Sequence, residues 1–302
     1  MLEDFVRRSA GLLKKDGKVF LVAVNTLADF FRSRIKEDAA LLSEEAGTEH
    51  TVFVYGKPAN VQAEKNNEQL YIPIVINEKF PANYPFYIRN KSEYTMEDIS
   101  YRLDTVHGAA DYDNPSVPVQ AAAHLARKIN LKAKLADNLS EGAILIHDPG
   151  QGHFALWLAN YLDGSETSAG LYKADQPRLV LTGRNIMALA AARSALAAAK
   201  SAIAPAVPVI IPTADIYIDR ERIKAAEKDY NLIIFIPETV SETDRQEAYW
   251  QGLRELTMPG GVIIAGMSSN EAERFNRKKP SGFTCLGDIK RRGFRAMGYQ
   301  AR

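Results

Sequence analysis

The stretch ILIHDPGQGHFALWLA, residues 144–159, decides how the rest of the sequence is interpreted. Its apolar beginning predicts a buried strand that ends at Asp148, and its apolar end predicts a helix. Between them lies a turn with glycines at 150 and 152. Glycine lets the backbone approach a ligand closely, and the amide groups of a following helix favour anionic groups there. The pattern therefore predicts a ligand-binding turn or, equally well from these residues alone, a tight turn that binds nothing.

Strands and helices alternate regularly on both sides of this turn, from about residue 116 to the end of the chain. Apolar strand patterns occur at 143–148, 178–183, 207–214, 231–236 and 260–266. Helical patterns occur at 117–129, 153–162, 185–202, 242–256 and 269–278. This alternation predicts an α/β fold with a doubly wound, mostly parallel sheet. Two last short strands, 283–288 and 293–300, predict a closing antiparallel hairpin and bring the sheet to seven strands.

The first 115 residues are less regular. Residues 1–60 predict two helices and two strands, the strands at DGKVFLVAV and HTVFVYGKP, with a helix over TLADFFRSRIKEDAALL. Residues 56–70 are polar and predict a linker or an exposed loop. A short strand is expected at 71–76, and irregular structure with turns at 78–115. The predicted organisation is therefore 1–60, 61–115 and 116–302.

Composition excludes several classes of protein. The 302 residues are 46% hydrophobic and 25% charged, with a net charge of +1, which is typical of a globular protein without an overall polyanionic partner. The one cysteine, Cys285, excludes an internal disulfide and a thiolate metal cluster, and it favours a reducing, cytoplasmic setting. The N-terminus does not have the pattern of a signal peptide. Charges and prolines interrupt the apolar stretch 186–211, so no membrane span is expected.

The order of these elements, the DPGQG turn and the closing hairpin resemble class I S-adenosylmethionine (SAM) methyltransferases. Within that class the chain is most similar to the methyltransferase small-domain family. Its best-known members modify the exocyclic amine of guanine in small-subunit ribosomal RNA. The resemblance covers about residues 100–302, and four segments carry it: 111–129, 147–159, 179–196 and 229–240.

The resemblance implies SAM as cofactor and a set of residues that contact it: Asp148, Gly150, Gly152, Gly183, Asn185 and Asp215. In the family an acidic residue at the end of the second strand accepts hydrogen bonds from the ribose. Gly183 stands at that position here, and Asn185 or Thr182 could substitute for the acid only in part. Asp215 matches a position near the adenine, although a solvated loop aspartate is an equally good interpretation.

The acceptor side departs further from the family. Its Asn-Pro-Pro-aromatic motif binds and stacks on the target base, and residues 236–239 here read Ile-Pro-Glu-Thr. Only Pro237 is kept, and Glu238 could accept a proton in place of the amide. These two are the candidate catalytic residues. Two hypotheses stay open: a SAM-dependent RNA methyltransferase of the guanine-N2 type with a divergent acceptor loop, and a non-catalytic module that binds RNA or a protein partner.

Basic residues concentrate near the C-terminus, between 274 and 302, where Asp288 is the single acid. Such a cluster can contact phosphates, and the aromatic residues between the basic ones can stack on unpaired bases. The candidate RNA-binding residues are Lys278, Lys279, Arg291, Arg292 and Arg295. A solvated helix and hairpin turn explain the same pattern equally well. The histidines show no spacing typical of a metal site.

Members of the family often carry two copies of the domain, one of them degenerate. Residues 1–60 resemble the last part of such a copy, and their helix, glycine and strand recur in the same order at 245–266. The fold is therefore expected to begin with a partial second copy. A homodimer or an upstream half-domain would both suit this arrangement.

Overall fold

The computed structural model describes residues 2–57, 88–109, 113–136, 143–163, 179–199, 208–213, 215–227, 229–238 and 244–302. The strand expected at 71–76 and the acceptor-loop residue Thr239 lie outside these ranges. The chain divides into two compact units, Met1–Asn77 and Glu78–Arg302.

The first unit is a three-stranded antiparallel sheet with two helices. Its elements, in chain order, are α1 (Leu2–Leu12), β1 (Val19–Val24), α2 (Ala28–Asp38), β2 (Ala40–Ala46) and β3 (His50–Gly56). The strand order is β1-β3-β2, with β3 antiparallel to both neighbours. Val6 of α1 and Phe31 and Ile35 of α2 pack with Phe53 and Tyr55 of β3.

Strand β2 corrects the prediction of one helix over TLADFFRSRIKEDAALL. The helix ends at Asp38, because Ala39 adopts an extended backbone (φ −149°, ψ 176°). Residues 40–42 then leave the helix and begin β2. Their short apolar run fits either a helical or a strand period, so the pattern alone could not separate the two structures.

The second unit contains a seven-stranded sheet preceded by a hairpin. The hairpin strands are β4 (Ile88–Met96) and β5 (Ile99–Val106). The strands of the large sheet are β6 (Ala143–His147), β7 (Leu179–Gly183), β8 (Val209–Pro212), β9 (Tyr230–Phe235), β10 (Thr257–Ser268), β11 (Phe283–Arg291) and β12 (Phe294–Ala301). Their order is β11-β12-β10-β9-β6-β7-β8. β12 alone runs opposite to the other six strands, which confirms the mostly parallel sheet with a closing hairpin.

Helices cover both faces of this sheet. They are α3 (Val117–Lys128), α4 (Leu131–Ala136), α5 (His153–Asp163), α6 (Ile186–Ala199), α7 (Arg220–Ala226), α8 (Gln246–Leu256) and α9 (Ser269–Arg277). On one face Leu125, Trp157 and Leu196 belong to the core cluster of α3, α5 and α6. On the other face Trp250 and Phe275 belong to the core cluster of α8 and α9. The two buried layers confirm the doubly wound arrangement. No helix in the described ranges is both long and apolar enough to cross a membrane.

The β4–β5 hairpin corrects the prediction of irregular structure at 78–115. Glu97 and Asp98 form its turn, and both have a left-handed backbone (φ 48° and 61°). Two such residues in a row are usually Asn-Gly or Asp-Gly in a hairpin turn, so the Glu-Asp pair did not signal one. Most of β4 is also exposed or half-buried, and its sequence IRNKSEYTM is therefore too polar to be recognised as a strand.

The first unit and the end of the second unit share one topology. The order α1-β1-α2-β2-β3 corresponds element by element to α8-β10-α9-β11-β12. In both units the last strand lies between the other two and runs antiparallel to them. The central position of the last strand is a specific feature, because in a simple meander the strands would lie side by side in chain order.

The glycine turn yields a first prediction about stability. Gly152 has φ +106°, and a Cβ built on it would lie 2.9 Å from the Cα of Ala192 in α6. We expect Gly152→Ala to lower the free energy of unfolding by about 3 kcal/mol, because the new methyl group forces a strained backbone and overpacks the turn. Denaturant unfolding followed by tryptophan fluorescence measures this, since Trp157 and Trp250 both lie in the second unit.

The matched control is Gly282→Ala. A Cβ at Gly282 would meet no atom within 4 Å, so this variant should stay close to wild type. Equal effects of the two substitutions would contradict the packing argument for Gly152.

Candidate functional site

A cavity of about 310 Å³ opens at the carboxyl ends of the parallel strands. Ligands of open α/β sheets bind at this edge. Six of the residues predicted from the sequence line it: Asp148, Gly150, Gly183, Asn185, Pro237 and Glu238. Pro118, Met267 and Phe294 are among the apolar residues that also line it. The structure therefore brings the glycine turn and the acceptor loop to one cavity.

Two predicted cofactor residues lie outside this lining. Gly152 faces α6, where its lack of a side chain allows close packing. Asp215 is only 5% exposed, and its carboxylate accepts hydrogen bonds from the amides of Tyr217 and Ile218. Arg245 also lies 3.5 Å from this carboxylate. Asp215 thus organises the loop between β8 and α7, and its predicted place beside an adenine stays a prediction.

Asp148 joins the ends of three strands. Its backbone is left-handed (φ 52°), and its side chain reaches across to both neighbours of β6. Oδ1 accepts a hydrogen bond from the amide of Arg184, after β7, at 3.3 Å. Oδ2 accepts one from the amide of Glu238, after β9, at 3.1 Å. The side chain is 8% exposed, so the carboxylate is a nearly buried charge held by two backbone donors.

Glu238, the candidate proton acceptor, forms an ion pair that the sequence did not predict. Arg184 Nη2 lies 2.8 Å from Glu238 Oε2. Both side chains are partly exposed, and the pair links the ends of β7 and β9 above Asp148. A substrate that needs Glu238 as a base must compete with Arg184 for the carboxylate.

Asn185 caps helix α6. Its Oδ1 accepts hydrogen bonds from the amides of Met187 and Ala188, and its Nδ2 donates to the carbonyl of Gly108 at 2.7 Å. Asn and Ser side chains are preferred at this position because they satisfy free amides of the first turn. Since both ends of the side chain have partners, Asn185 serves first to position the helix and to fix the segment after β5.

The other side chains of the glycine turn point away from the cavity into the β4–β5 hairpin. Gln151 is buried, and its Oε1 accepts a hydrogen bond from the amide of Val106. His153 Nδ1 lies 3.0 Å from the hydroxyl of Tyr101. Phe154, two residues after Gly152, is buried in the core and does not fill the cavity. The hairpin therefore holds the turn in place.

His147 lies beneath the cavity. Its ring stacks on Phe235, its Nδ1 is 2.9 Å from the hydroxyl of Thr182, and its Nε2 is 3.5 Å from Asp148 Oδ2. Burial lowers the pKa of His147, and nearby Asp148 opposes that shift only in part. The imidazole is therefore neutral near pH 7 and acts as a hydrogen-bonding support for the strand ends.

Acidic residues line the cavity, and two basic residues precede one of its lining residues in the β11–β12 turn. Among the described residues that line it, Asp148 and Glu238 are the charged ones and none is basic. Phe294 lines the cavity, and Arg291 and Arg292 are exposed in the turn immediately before it.

The other candidate RNA-binding residues have partners within the protein. Arg295 forms a bidentate ion pair with Asp288, and Lys279 Nζ donates to the carbonyl of Phe283 at 2.7 Å. Lys278 lies 3.5 Å from Glu247. Of the five predicted residues, Arg291 and Arg292 at the β11–β12 turn are therefore the best placed to contact a ligand at the cavity.

Sequence reasoning missed three features of this site. Arg184 follows Gly183 directly, but nothing in its surroundings indicated that it would reach Glu238. Gln151 stands between the two glycines, and nothing in the sequence indicated that its side chain would bind the β4–β5 hairpin. Phe294 stands among the basic residues of 274–302, and its place in the cavity wall depends on the pairing of β12 with β10.

Comparisons with known proteins agree with this architecture. No protein-family model matches the sequence, and no curated protein matches it significantly. Among solved structures, the chain is similar to the T. thermophilus 16S rRNA N2 G1207 methyltransferase RsmC, solved in complex with AdoMet and guanosine. The two share 11% identity and a TM-score of 0.52 over 95% of this chain and 65% of that one. The chain has the class I methyltransferase fold.

Two further structures were found with lower TM-scores. A protein from Streptococcus mutans described as a SAM-dependent methyltransferase shares 11% identity, with a TM-score of 0.47 over 70% of this chain and 56% of that one. A protein from Escherichia coli described as the methyltransferase yhhF shares 13% identity, with a TM-score of 0.42 over 70% and 98%. The chain thus spans less than two thirds of the length of RsmC and of the Streptococcus protein.

The buried His153 yields a prediction about pH. Burial lowers its pKa to about 4, against about 6.5 in the unfolded chain. Between these values the unfolded state binds more protons, so the contribution of His153 is complete above pH 6.5 and is lost as the pH falls toward 4. The difference corresponds to about 3 kcal/mol.

We expect the free energy of unfolding to fall less steeply between pH 7 and pH 4 in His153→Phe than in wild type, measured by denaturant titration. Carboxylates that titrate in the same range affect both proteins equally. The exposed His107→Gln is the control and should follow the wild-type curve. Parallel curves for wild type and His153→Phe would contradict the prediction.

Proposed function

We propose that this chain is a SAM-dependent methyltransferase whose cofactor and acceptor meet in the cavity at Asp148. One observation carries the proposal: two carboxylates, Asp148 and Glu238, face an otherwise largely apolar cavity beside a glycine turn. Asp148 is nearly buried, and a cationic ligand would offset part of the cost of burying its carboxylate. The cavity volume lies at the lower end of the range for small-molecule sites, roughly 300–1,000 Å³.

The donor set suits SAM. When bound, SAM supplies a methyl group activated by a positively charged sulfur. Asp148 and the backbone at Gly150 and Gly183 would hold it at the ends of β6 and β7. The apolar side chains of Pro118 and Met267 would exclude water from the acceptor side. Positioning of this kind is the main contribution that a protein makes to methyl transfer.

RNA is the acceptor that we propose, in line with the rRNA methyltransferase among the structural neighbours. The exposed Arg291 and Arg292 stand close in sequence to Phe294 of the cavity wall. An RNA base could therefore enter the cavity while the neighbouring phosphates contact these two arginines. For an exocyclic amine such as guanine N2, Glu238 is the side chain that could take the proton. Ile236 offers no hydrogen-bonding group where the family has asparagine.

Calorimetric titration with SAM tests the cofactor. We expect micromolar affinity in wild type and at least about 30-fold weaker binding in Asp148→Ala, because a charged acceptor of the site is lost. Asp229→Asn is the control. Asp229 is exposed at the amino end of β9, opposite the cavity, and its replacement should not change the affinity. Unchanged binding by Asp148→Ala would overturn the site assignment.

Filter binding tests the RNA interface. We expect Arg291→Ala/Arg292→Ala to bind a stem–loop RNA with unpaired guanines about tenfold more weakly near 50 mM salt, and to reduce the salt slope by about two. The charge-matched control, Lys14→Ala/Lys15→Ala, removes two exposed lysines of the first unit. If both double variants lose RNA affinity equally, the protein attracts RNA through its general positive charge rather than through the β11–β12 turn.

A second function is a non-catalytic module that binds RNA or a protein partner. The Arg184–Glu238 ion pair and the loss of the asparagine at 236 favour it. A filter assay with SAM carrying a labelled methyl group separates the two functions. Transfer to RNA supports the enzyme, whereas RNA retention without SAM binding supports the module.

We also propose that the first unit is a partial copy of a methyltransferase domain. The shared topology of α1-β1-α2-β2-β3 and α8-β10-α9-β11-β12 supports this. The three-part division at 60 and 115, the cytoplasmic setting and the homodimer or upstream half-domain remain predictions.

A further inference from the structure

The carboxylate of Asp148 occupies the space over Gly183 where another side chain would begin. A Cβ built on Gly183 would lie 2.5 Å from Asp148 Oδ1 and 3.3 Å from its Cα. These separations are too short for any side chain to be added without displacing Asp148. Gly183 is the last residue of β7, and Thr182 before it pairs with His147 of β6. The acid therefore stands at the end of the second strand although it belongs to the first.

Backbone amides fix the orientation of this carboxylate. Arg184 N donates to Oδ1 and Glu238 N donates to Oδ2, so each oxygen has one amide donor. An ionised carboxylate has about four acceptor positions in all. Each oxygen thus keeps acceptor capacity, and the group borders the cavity together with Gly150 and Gly183. Two neighbouring acceptor oxygens on one side of a cavity match two neighbouring hydroxyl groups.

Other α/β sheets that bind nucleotides also provide acceptor oxygens for the ribose hydroxyls, but from a different strand. In dinucleotide-binding α/β folds, a carboxylate after the second strand accepts hydrogen bonds from the ribose hydroxyls. In this chain the second strand, β7, ends in glycine and cannot supply one. The Asp148 carboxylate instead lies 2.5 Å from the point where the Cβ of a side chain at position 183 would be.

We infer that Asp148 supplies the ribose-binding carboxylate from the first strand, and that Gly183 is the positioning residue that makes room for it. The glycine at the end of the second strand leaves the space that the Asp148 carboxylate occupies. The inference rests on the proposed function, and it specifies the ligand class as adenosine compounds with a free 2′,3′-diol.

Calorimetry with S-adenosylhomocysteine and its 2′-deoxy analogue tests this assignment. Wild type should bind the ribose compound at least about tenfold more tightly than the deoxy analogue, since one charge-assisted hydrogen bond is lost. In Asp148→Asn that preference should shrink to within about threefold. Asp229→Asn is the control and should keep the wild-type preference. A merely structural role of Asp148 would weaken both ligands equally and leave their ratio unchanged.

An exchange of the two residues gives an independent test that does not depend on a loss of binding. Gly183→Asp alone should abolish binding, because the new side chain meets the Asp148 carboxylate. Asp148→Gly/Gly183→Asp should restore both the affinity and the preference for the diol to within about fivefold of wild type. Unfolding curves of each variant identify any that fails to fold, and the ligand ratio is then taken from the variants that do.

The outcomes separate this inference from the proposed function. If wild type binds S-adenosylhomocysteine and Asp148→Asn keeps the full preference for the diol, the role of Asp148 is overturned while the methyltransferase proposal stands. If wild type binds neither ligand, both fall. Loss of the preference in Asp148→Asn together with its recovery in the double variant supports both.

Discussion

The carboxylate of Asp148 holds together the ends of three parallel strands, and the cavity depends on it. Backbone amides at a strand end need an acceptor when they are withdrawn from water. Asp148 supplies one to Arg184 after β7 and one to Glu238 after β9, and hydrogen bonds to a charged acceptor are stronger than neutral ones. The left-handed backbone of Asp148 directs the side chain sideways, and the missing side chain of Gly183 leaves room for it. A larger residue at 183 would therefore disturb the floor of the cavity as well as the local turn.

The glycine turn also depends on the hairpin that precedes the sheet. Its backbone faces the cavity, while Gln151 and His153 point back to Val106 and Tyr101 of β5. After the next strand, β7, Asn185 reaches Gly108 in the segment that follows the hairpin. Three polar contacts therefore fix the loops after β6 and β7 against β5 and the segment that follows it. Such bracing suits a site that must hold a small ligand in one orientation, because little ordering is left to take place on binding.

Charge is separated over a short distance at this edge of the sheet. The cavity presents Asp148 and Glu238, and the turn between β11 and β12 presents Arg291 and Arg292 on the outside. Phe294 lies between the two regions. A net charge of +1 conceals this arrangement, since the opposite charges cancel in the sum. A cationic cofactor inside and an anionic polymer outside would each meet charge of the opposite sign.

The sequence by itself determined the layers of the second unit and the place of its site. Apolar strands such as AILIH and YNLIIF can be buried on both faces only in a parallel sheet covered by helices, and their order placed Asp148 and Glu238 at the same edge. Local patterns could not show contacts between residues far apart in the chain. The Arg184–Glu238 pair, the Asp148 carboxylate over Gly183 and the hairpin with a Glu-Asp turn were decided by tertiary structure. Each depends on which strands become neighbours, and side-chain direction at a strand end is set by those neighbours rather than by the adjacent sequence.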